Sequence, residues 1–277
     1  MLTSRRLVDD DRGRALKLAE IEETSALFFI GCTERFGLER YATFGVFEDE
    51  RLLGLAMHVD NLPPFGKQVL LPVGTGFERL LPSVAEVITE GPDMMMGPRG
   101  ATEEAARAWP TKWRRYKARR DELLFIQLTP QPLQDLPNLR VRLGAESDVP
   151  MLIDFRLRME TESGVALFSS PEQARISALT LIKEGTLFVV EVNSAIVGCS
   201  SITTGSSRYE QLGFIYVLPE HRLRGISDYL LISVCNLIHD RGKRPIFFTA
   251  PSSEALIHRA RIIGFRETGT HHKYYYE

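Results

Sequence analysis

One short segment constrains the fold of this chain more than any other, because it requires a strand, a tight basic turn and a helix in immediate succession. The apolar run Phe214-Ile215-Tyr216-Val217 is typical of a strand end, a basic turn reaches Gly225, and a helix-like stretch begins at Asp228. Unpaired N–H groups and the dipole at a helix N-terminus favour an anion, and glycine lets the backbone come close. The segment predicts a phosphate-binding turn, with an ordinary surface turn as the alternative.

Length and charge exclude several classes of function. The 277 residues are enough for two domains, and a net charge of −2 argues against a nucleic-acid binder that works through bulk charge. No apolar run approaches the ~20 residues that span a bilayer, and the first residues lack the apolar core of a signal peptide. The three cysteines, Cys32, Cys199 and Cys235, are too scattered for a disulfide framework or a zinc site, so we expect no metal and a reduced, cytoplasmic setting.

A proline-rich stretch at residues 129–137 divides the chain almost in half and predicts an extended linker, because proline fixes φ and disfavours helix before it. After it, residues 139–143 alternate like a strand, and residues 146–148 precede a helix. A second helix is expected at 171–183. Two strands at 186–192 and 196–202 flank a turn, residues 244–249 form a further strand, and 254–263 a last helix.

The first half repeats this order in a weaker form. Residues 44–56 mirror the later hairpin, and the strand-like residues 69–73 lead through Gly74-Thr75-Gly76 to a helix at 77–89. The turn is shorter here and carries no arginine. We therefore expect the first half to be a structural partner, while a second ligand site there remains the alternative.

The motifs of the second half resemble those of the GNAT acetyltransferase superfamily. They are Val217-x-Pro219, then Arg222-x-x-Gly225-x-Ser227, and later Gly264-Phe265. The resemblance implies a mixed α/β fold with two GNAT-like domains, each a mostly antiparallel sheet flanked by helices. A degenerate N-terminal domain would occupy residues 1–130, and the acetyltransferase domain residues 138–277.

The resemblance also implies acetyl-CoA as cosubstrate and a site for it. In the family, main-chain groups of the strand before the loop pair with the pantetheine amides, and a backbone N–H polarises the thioester carbonyl, as in an oxyanion hole. The loop and the helix start would hold the pyrophosphate. By position, the cofactor-binding residues are Ile215, Tyr216, Val217, Arg222, Leu223, Arg224, Gly225, Ile226, Ser227, Asp228 and Ser253.

Two positions depart from the family pattern. Counted back from Gly264-Phe265, the family's asparagine falls on Ser253 and its general-acid tyrosine on Ala260. Alanine cannot protonate the departing thiolate, and general acid catalysis typically contributes ~10²–10⁴ in rate. Tyr216, or one of the tyrosines at 274–276, is expected to replace it.

The acceptor implied by the resemblance is a small-molecule or peptide amine. Glu160 and Glu162 lie where the family's first two helices meet and border its acceptor cleft, so we expect them to take part in deprotonating the amine. Each of them is also compatible with a plain surface carboxylate. A homodimer is compatible with the resemblance.

Two further features of the sequence invite a functional interpretation. Residues 112–120 interleave basic and aromatic side chains, which we interpret as a solvated helix face rather than an RNA-binding surface, and His271-His272 as a surface pair. Two functions remain. The chain is either an acyltransferase that moves acetyl from acetyl-CoA to an amine, or a non-catalytic GNAT-fold protein that senses acyl-CoA or acts as a scaffold.

Overall fold

A computed structural model describes residues 2–62, 67–134, 136, 138–163 and 170–277 of the chain. The first half is built, in chain order, from β1 (Leu2–Arg6), α1 (Arg12–Ala19), α2 (Leu27–Phe36), β2 (Ala42–Glu48), β3 (Arg51–Leu62), β4 (Lys67–Gly74), α3 (Phe77–Val87), β5 (Met94–Gly97), α4 (Arg99–Arg107) and β6 (Tyr116–Gln127). The second half is built from β7 (Leu139–Leu143), α5 (Val149–Ser163), α6 (Pro171–Lys183), β8 (Leu187–Val192), β9 (Ala195–Gly205), β10 (Tyr209–Val217), α7 (Ile226–Asp240), β11 (Arg244–Thr249), α8 (Glu254–Ile262) and β12 (Phe265–Tyr276).

The described strands form one mixed, mostly antiparallel sheet whose order reads almost the same from either edge: β1-β2-β3-β4-β5-β12-β6-β11-β10-β9-β8-β7. Each strand of the first half has its counterpart at the mirrored position in the second. Only β4 with β5, and β10 with β11, run parallel. The fold class expected from the sequence is confirmed, whereas the proposed division at residues 130 and 138 stays a prediction.

The same local structure opens both halves. Arg5 binds both carboxylate oxygens of Asp11 at 2.7 Å, and Arg142 binds those of Asp148 at 2.7 and 3.1 Å. Each aspartate also accepts the backbone N–H of the residue three positions earlier, which stabilises the short 3-10 turn before the first long helix. Two ion pairs with identical spacing at matching places indicate that the halves share one plan.

Helices cover both faces of the sheet because alternate strand residues are apolar on both sides. In β8, Phe188 and Val190 pack with α7 and α8, while the intervening Leu187 and Val189 pack with α5 and α6. The buried stripe of α7 has the spacing expected of a helix lying on a sheet, and consists of Leu230, Leu231, Val234, Cys235 and Ile238.

The two halves exchange their last strands at the centre of the sheet. The first-half strand β6 pairs with β11 and β12, and the second-half strand β12 lies between β5 and β6. Between the exchanged strands, Lys273 Nζ contacts the carboxylate of Glu122 at 2.8 Å. Burial acts to raise the pKa of Glu122, but the neighbouring Lys273 and His271 outweigh it and hold that pKa at about 2.

This exchange overturns two expectations from the sequence. The basic and aromatic residues near 116–120 belong to the strand β6 and not to a helix face, because β12 supplies a pairing partner from the other end of the chain. His271 and His272 are not a surface pair. Both are 1% exposed, since β12 lies in the interior of the sheet.

Candidate functional site

The strands β10 and β11 separate partway along their length. They pair in parallel only over Tyr209–Gln211 of β10, while β10 continues to Val217 against β9. The pairing with β9 is irregular between Gly213 and Tyr216, where Phe214 takes a positive φ of 48°. An extra residue of this kind bends a strand and leaves backbone groups unpaired. The last part of β10 therefore borders a gap in the sheet.

The turn after β10 ends in a helix N-terminus that faces the gap. Gly225 precedes the helix α7 with φ 76°, a left-handed conformation that glycine adopts without strain. The Tyr229 N–H is bonded to the Gly225 carbonyl, so the N–H groups of the first turn have no partner within the helix. Among the described residues we find no acceptor for the N–H groups of Ile226 and Ser227. The turn thus presents donors to an anion.

A cavity of about 460 Å³ fills the gap between β10 and the helices around it. Nine of the thirteen residues predicted for the site lie in its walls, and apolar side chains make up most of the rest. The lining residues are Met159, Glu162, Ile215, Tyr216, Val217, His221, Arg222, Leu223, Ile226, Ser227, Asp228, Leu231, Ala255, Leu256 and Arg259.

Three polar side chains form a hydrogen-bonded network in the cavity wall. The Tyr216 hydroxyl donates to Glu162 Oε1 at 2.9 Å, and Arg222 Nη2 donates to Glu162 Oε2 at 2.7 Å. Arg222 Nε also donates to the Val217 carbonyl at 2.8 Å. The guanidinium expected to face a pyrophosphate is therefore held by Glu162 and the end of β10 in this structure.

The network sets the ionisation of its members. Burial, followed by the hydrogen bond to Glu162, raises the pKa of Tyr216 to about 12. Burial acts to raise the pKa of Glu162 as well, but hydrogen bonds from Arg222 and Tyr216 outweigh it and lower that pKa below its usual value. Near neutral pH the tyrosine is a protonated donor and the glutamate is ionised.

Four predicted residues lie outside this cavity. Arg224 and Gly225 line a neighbouring cavity of about 480 Å³ between α7 and the linker. Asp228, which pairs with Arg259, lines both cavities. Ser253 precedes the first residue of α8 and does not line either cavity.

Glu160 is the fourth of these residues. It interacts with Arg156 one turn earlier on α5, and that guanidinium lies 4.4 Å from the centre of the Phe214 ring. Burial lowers the pKa of Arg156 to about 9, and the charge of Glu160 opposes that shift.

Ala260, the residue of α8 that takes the place of the family's tyrosine, does not face the cavity. Ala260 is 2% exposed and packs in the core of the second half. The α8 side chains that reach the cavity are Ala255, Leu256 and Arg259, and none of these carries a hydroxyl. Tyr216 is thus the tyrosine that lines the cavity.

Sequence reasoning missed several lining residues. Met159 lies one turn before Glu162 on α5, so a helical wheel drawn from Glu162 would have found it. His221 directly precedes Arg222, and its Nδ1 is buried without a hydrogen-bond partner among the described residues. Leu256 and Arg259 come from a helix distant in sequence, and no local signal marks them.

The first half has a similar glycine turn before a helix, but a side chain of the protein binds to its N–H groups. Gly76 precedes the helix α3 with φ 89°, as Gly225 precedes α7. Here Glu104 of α4 accepts the N–H groups of Gly76 and Phe77 at 2.8 and 3.0 Å. The helix α4 also packs against β4. These two donors at the start of α3 are therefore satisfied by the chain itself.

Metal centres and membrane-spanning helices are two other features that could indicate a function, and the described part of the chain contains neither. No cluster of histidine, cysteine, aspartate and glutamate there could hold a metal ion. No helix in that part has the length and apolar character needed to cross a membrane.

Comparison with known proteins agrees with this arrangement. Residues 154–265 match the model of the Acetyltransferase (GNAT) family. Similar solved structures include a Drosophila protein (13% identity, TM-score 0.68, 99% of this chain and 98% of that one) and a tandem GNAT protein from the clavulanic acid biosynthesis pathway (13%, 0.64, 99% and 98%). An acetyltransferase from the GNAT family of Colwellia psychrerythraea is also similar (13%, 0.56, 99% and 100%).

At these identities the structural likeness concerns the fold, and it extends over both halves of the chain. No curated protein matches the sequence. The family model covers the segment that contributes β10, the turn at Gly225 and the helices around the cavity. In its second half, this chain therefore carries a domain of the GNAT acetyltransferase family.

Proposed function

We propose that the protein is an acyl-CoA-dependent N-acyltransferase that moves acetyl from acetyl-CoA to an amine. The observation that carries the proposal is the divergence of β10 from β11, which leaves a cavity ending at the N-terminus of α7. A long ligand with an anionic group partway along it fits this arrangement. The diphosphate of acetyl-CoA would bind at the N–H groups of Ile226 and Ser227, and its pantetheine arm would lie along the end of β10.

The chemistry requires an amine, an electrophilic carbonyl and a path for one proton. The neutral amine attacks the thioester carbonyl, the carbon–sulfur bond breaks, and CoA leaves as a thiolate. We assign Tyr216 as the proton donor to that thiolate, because it is the tyrosine that lines the cavity and it is protonated near neutral pH. Glu162 accepts the proton that the amine loses and returns it to Tyr216 across the 2.9 Å hydrogen bond between them.

The acceptor in this proposal is a small-molecule or peptide amine. The ionised Glu162 lines the cavity and would attract the ammonium form of such an acceptor, and Glu160 lies two residues earlier on the same helix. Backbone N–H groups freed by the irregularity of β10 would stabilise the charge that develops on the carbonyl oxygen.

Binding is tested with one added charge at the helix start. Ser227→Asp places a carboxylate beside the free N–H donors, and we expect it to weaken acetyl-CoA binding at least about tenfold in calorimetry. Ser252→Asp makes the same change at an exposed residue outside the cavity and should bind like the parent protein. An absence of acetyl-CoA binding by the unchanged protein would reject the proposal.

A second experiment separates catalysis from binding alone. The lack of a hydroxyl among the cavity-facing residues of α8 favours the alternative, an acyl-CoA-binding protein without turnover. Release of free CoA thiol is followed with a broad panel of amines. Release above the buffer rate, with acetylated amine formed in equal amount, supports the enzyme. Tight binding with release at the buffer rate supports the sensor.

A further inference from the structure

One leucine in the turn before α7 is held in an unfavourable state on two independent counts. Leu223 has φ 60°, in the left-handed region that side chains other than glycine, asparagine and aspartate rarely adopt. Its relative exposure is 105%, the largest among the exposed large hydrophobic residues of the described chain, where Ile21 comes next at 77%. Neither backbone strain nor an exposed leucine stabilises the protein in this state.

The position of Leu223 places it at the outer rim of the cavity. It follows Arg222, lies two residues before Gly225, and contributes to the cavity wall. The inner wall at this end is formed by Val217 and Ile226, which are 7% and 4% exposed. A ligand that runs along β10 and crosses the start of α7 would pass close to Leu223, which lines the same cavity.

We propose that Leu223 packs against the adenine ring of bound CoA and so selects ligands that carry the nucleoside. This rests on the proposed function, which puts the diphosphate at the start of α7. The pantetheine side of the diphosphate lies inside the cavity, so the fully exposed leucine on the rim meets the part beyond the diphosphate. A purine face is flat and weakly polar, and covering an exposed leucine with it removes apolar surface from water.

The contact explains why both unfavourable features occur in one residue. The residue with the left-handed backbone is the one whose side chain is fully exposed at the rim, where the nucleoside would lie. With ligand bound, the leucine is covered.

The test uses ligands with and without the adenine end of CoA. Calorimetry compares CoA with 4′-phosphopantetheine, which keeps one phosphate but lacks the 3′-phosphoadenylyl group, for the unchanged protein and for Leu223→Asn, Leu223→Met and Ile21→Asn. Asparagine tolerates the left-handed conformation but presents no apolar surface. We expect Leu223→Asn to weaken CoA binding about tenfold and to leave 4′-phosphopantetheine binding unchanged. Leu223→Met and the distant control Ile21→Asn should bind CoA like the parent protein.

Two results would overturn the assignment. The first is unchanged CoA affinity in Leu223→Asn. The second is an equal loss for both ligands, which would mean that the substitution acts through the turn itself. If the unchanged protein binds neither ligand, the proposed function fails, and this assignment fails with it.

Discussion

The helix after the fourth strand begins in the same way in both halves of the molecule, but its start is capped in the first half and borders a cavity in the second. In both, a left-handed glycine precedes the helix after the fourth strand, and a second helix passes nearby. The sixth residue of that second helix is Glu104 in α4 and Arg259 in α8. Glu104 turns inward and binds the N–H groups of α3, whereas Arg259 pairs with Asp228 and leaves the donors of α7 facing a cavity. The side chain at this position therefore accounts for one difference between the capped helix start and the open one.

This difference teaches that sharing a fold does not preserve its binding capacity. A helix N-terminus attracts any anion in reach, and a carboxylate tethered to the chain is always in reach. The first half has a stabilising cap where the second half has the cavity that we propose as a ligand site. Its tyrosine is absent as well, since Val73 pairs with Leu55 at the place where Tyr216 pairs with Cys199.

The largest effect is expected when Arg259 of the second half is replaced by glutamate, the residue at the matching position 104 of the first half. Arg259→Glu should supply a carboxylate to the start of α7, remove the partner of Asp228, and weaken acetyl-CoA binding about a hundredfold in calorimetry. Arg259→Gln removes the charge without adding an anion, and should lose far less. Equal losses in the two variants would show that the comparison with Glu104 is mistaken.

The next effect concerns the tyrosine that the first half lacks. Tyr216→Phe should lower kcat about a hundredfold, because the proton donor is lost, while the Kd for acetyl-CoA stays within about twofold. Steady-state kinetics and calorimetry are run together, with the exposed Tyr116→Phe as control. A kcat equal to that of the parent protein would remove Tyr216 from the mechanism.

Removing the cap of the first half should have a smaller effect, which should appear as a loss of protein stability. Glu104→Ala leaves the N–H groups of Gly76 and Phe77 without their acceptor, so we expect the free energy of unfolding to fall by about 1–2 kcal/mol in urea titrations. Glu86→Ala, at an exposed position of α3, should change it by less than about 0.5 kcal/mol. A similar value for both variants would contradict the capping role.

The smallest effect is expected for the arginine–aspartate ion pair that both halves share. The hydrogen bond from Arg5 lowers the pKa of Asp11, and that from Arg142 lowers the pKa of Asp148. A lowered carboxyl pKa stabilises the folded state fully above the unfolded value of ~3.9, and this contribution is lost as the pH falls through the folded pKa.

Asp11→Asn and Asp148→Asn should therefore each reduce stability by about 1 kcal/mol at pH 6 and flatten its fall below pH 4. Urea titrations at pH 6 and pH 3.5 measure both. A parent-like loss of stability between these two pH values in either variant would assign the pH dependence to other groups.

The local elements were readable from the sequence. Apolar alternation and turn residues located the hairpin of β8 and β9, and the helix α6 begins and ends where the proline and lysine signals predicted. The turn at Gly225 and the cavity residues after β10 also followed from a motif within one short segment.

What the sequence could not reveal depends on contacts between distant segments. The basic residues after Tyr116 suggest an exposed helix face until β12 is placed beside them, and His271 looks exposed for the same reason. Glu104 reaches a turn 27 residues earlier in the chain. The sequence has no periodic pattern that predicts this contact, because the contact depends on how the helices pack on the completed sheet.

The strand exchange at the centre of the sheet also sets when the protein can be completed during synthesis. The edge of β5 that faces away from β4 is paired by β12, a strand that lies far later in the chain. Until β12 pairs there, the first half exposes an unpaired strand, the kind of edge on which chains aggregate. Each half therefore needs a strand of the other to complete its pairing. A cut within β12 would thus damage the N-terminal half, far from the cut in sequence and beside it in space.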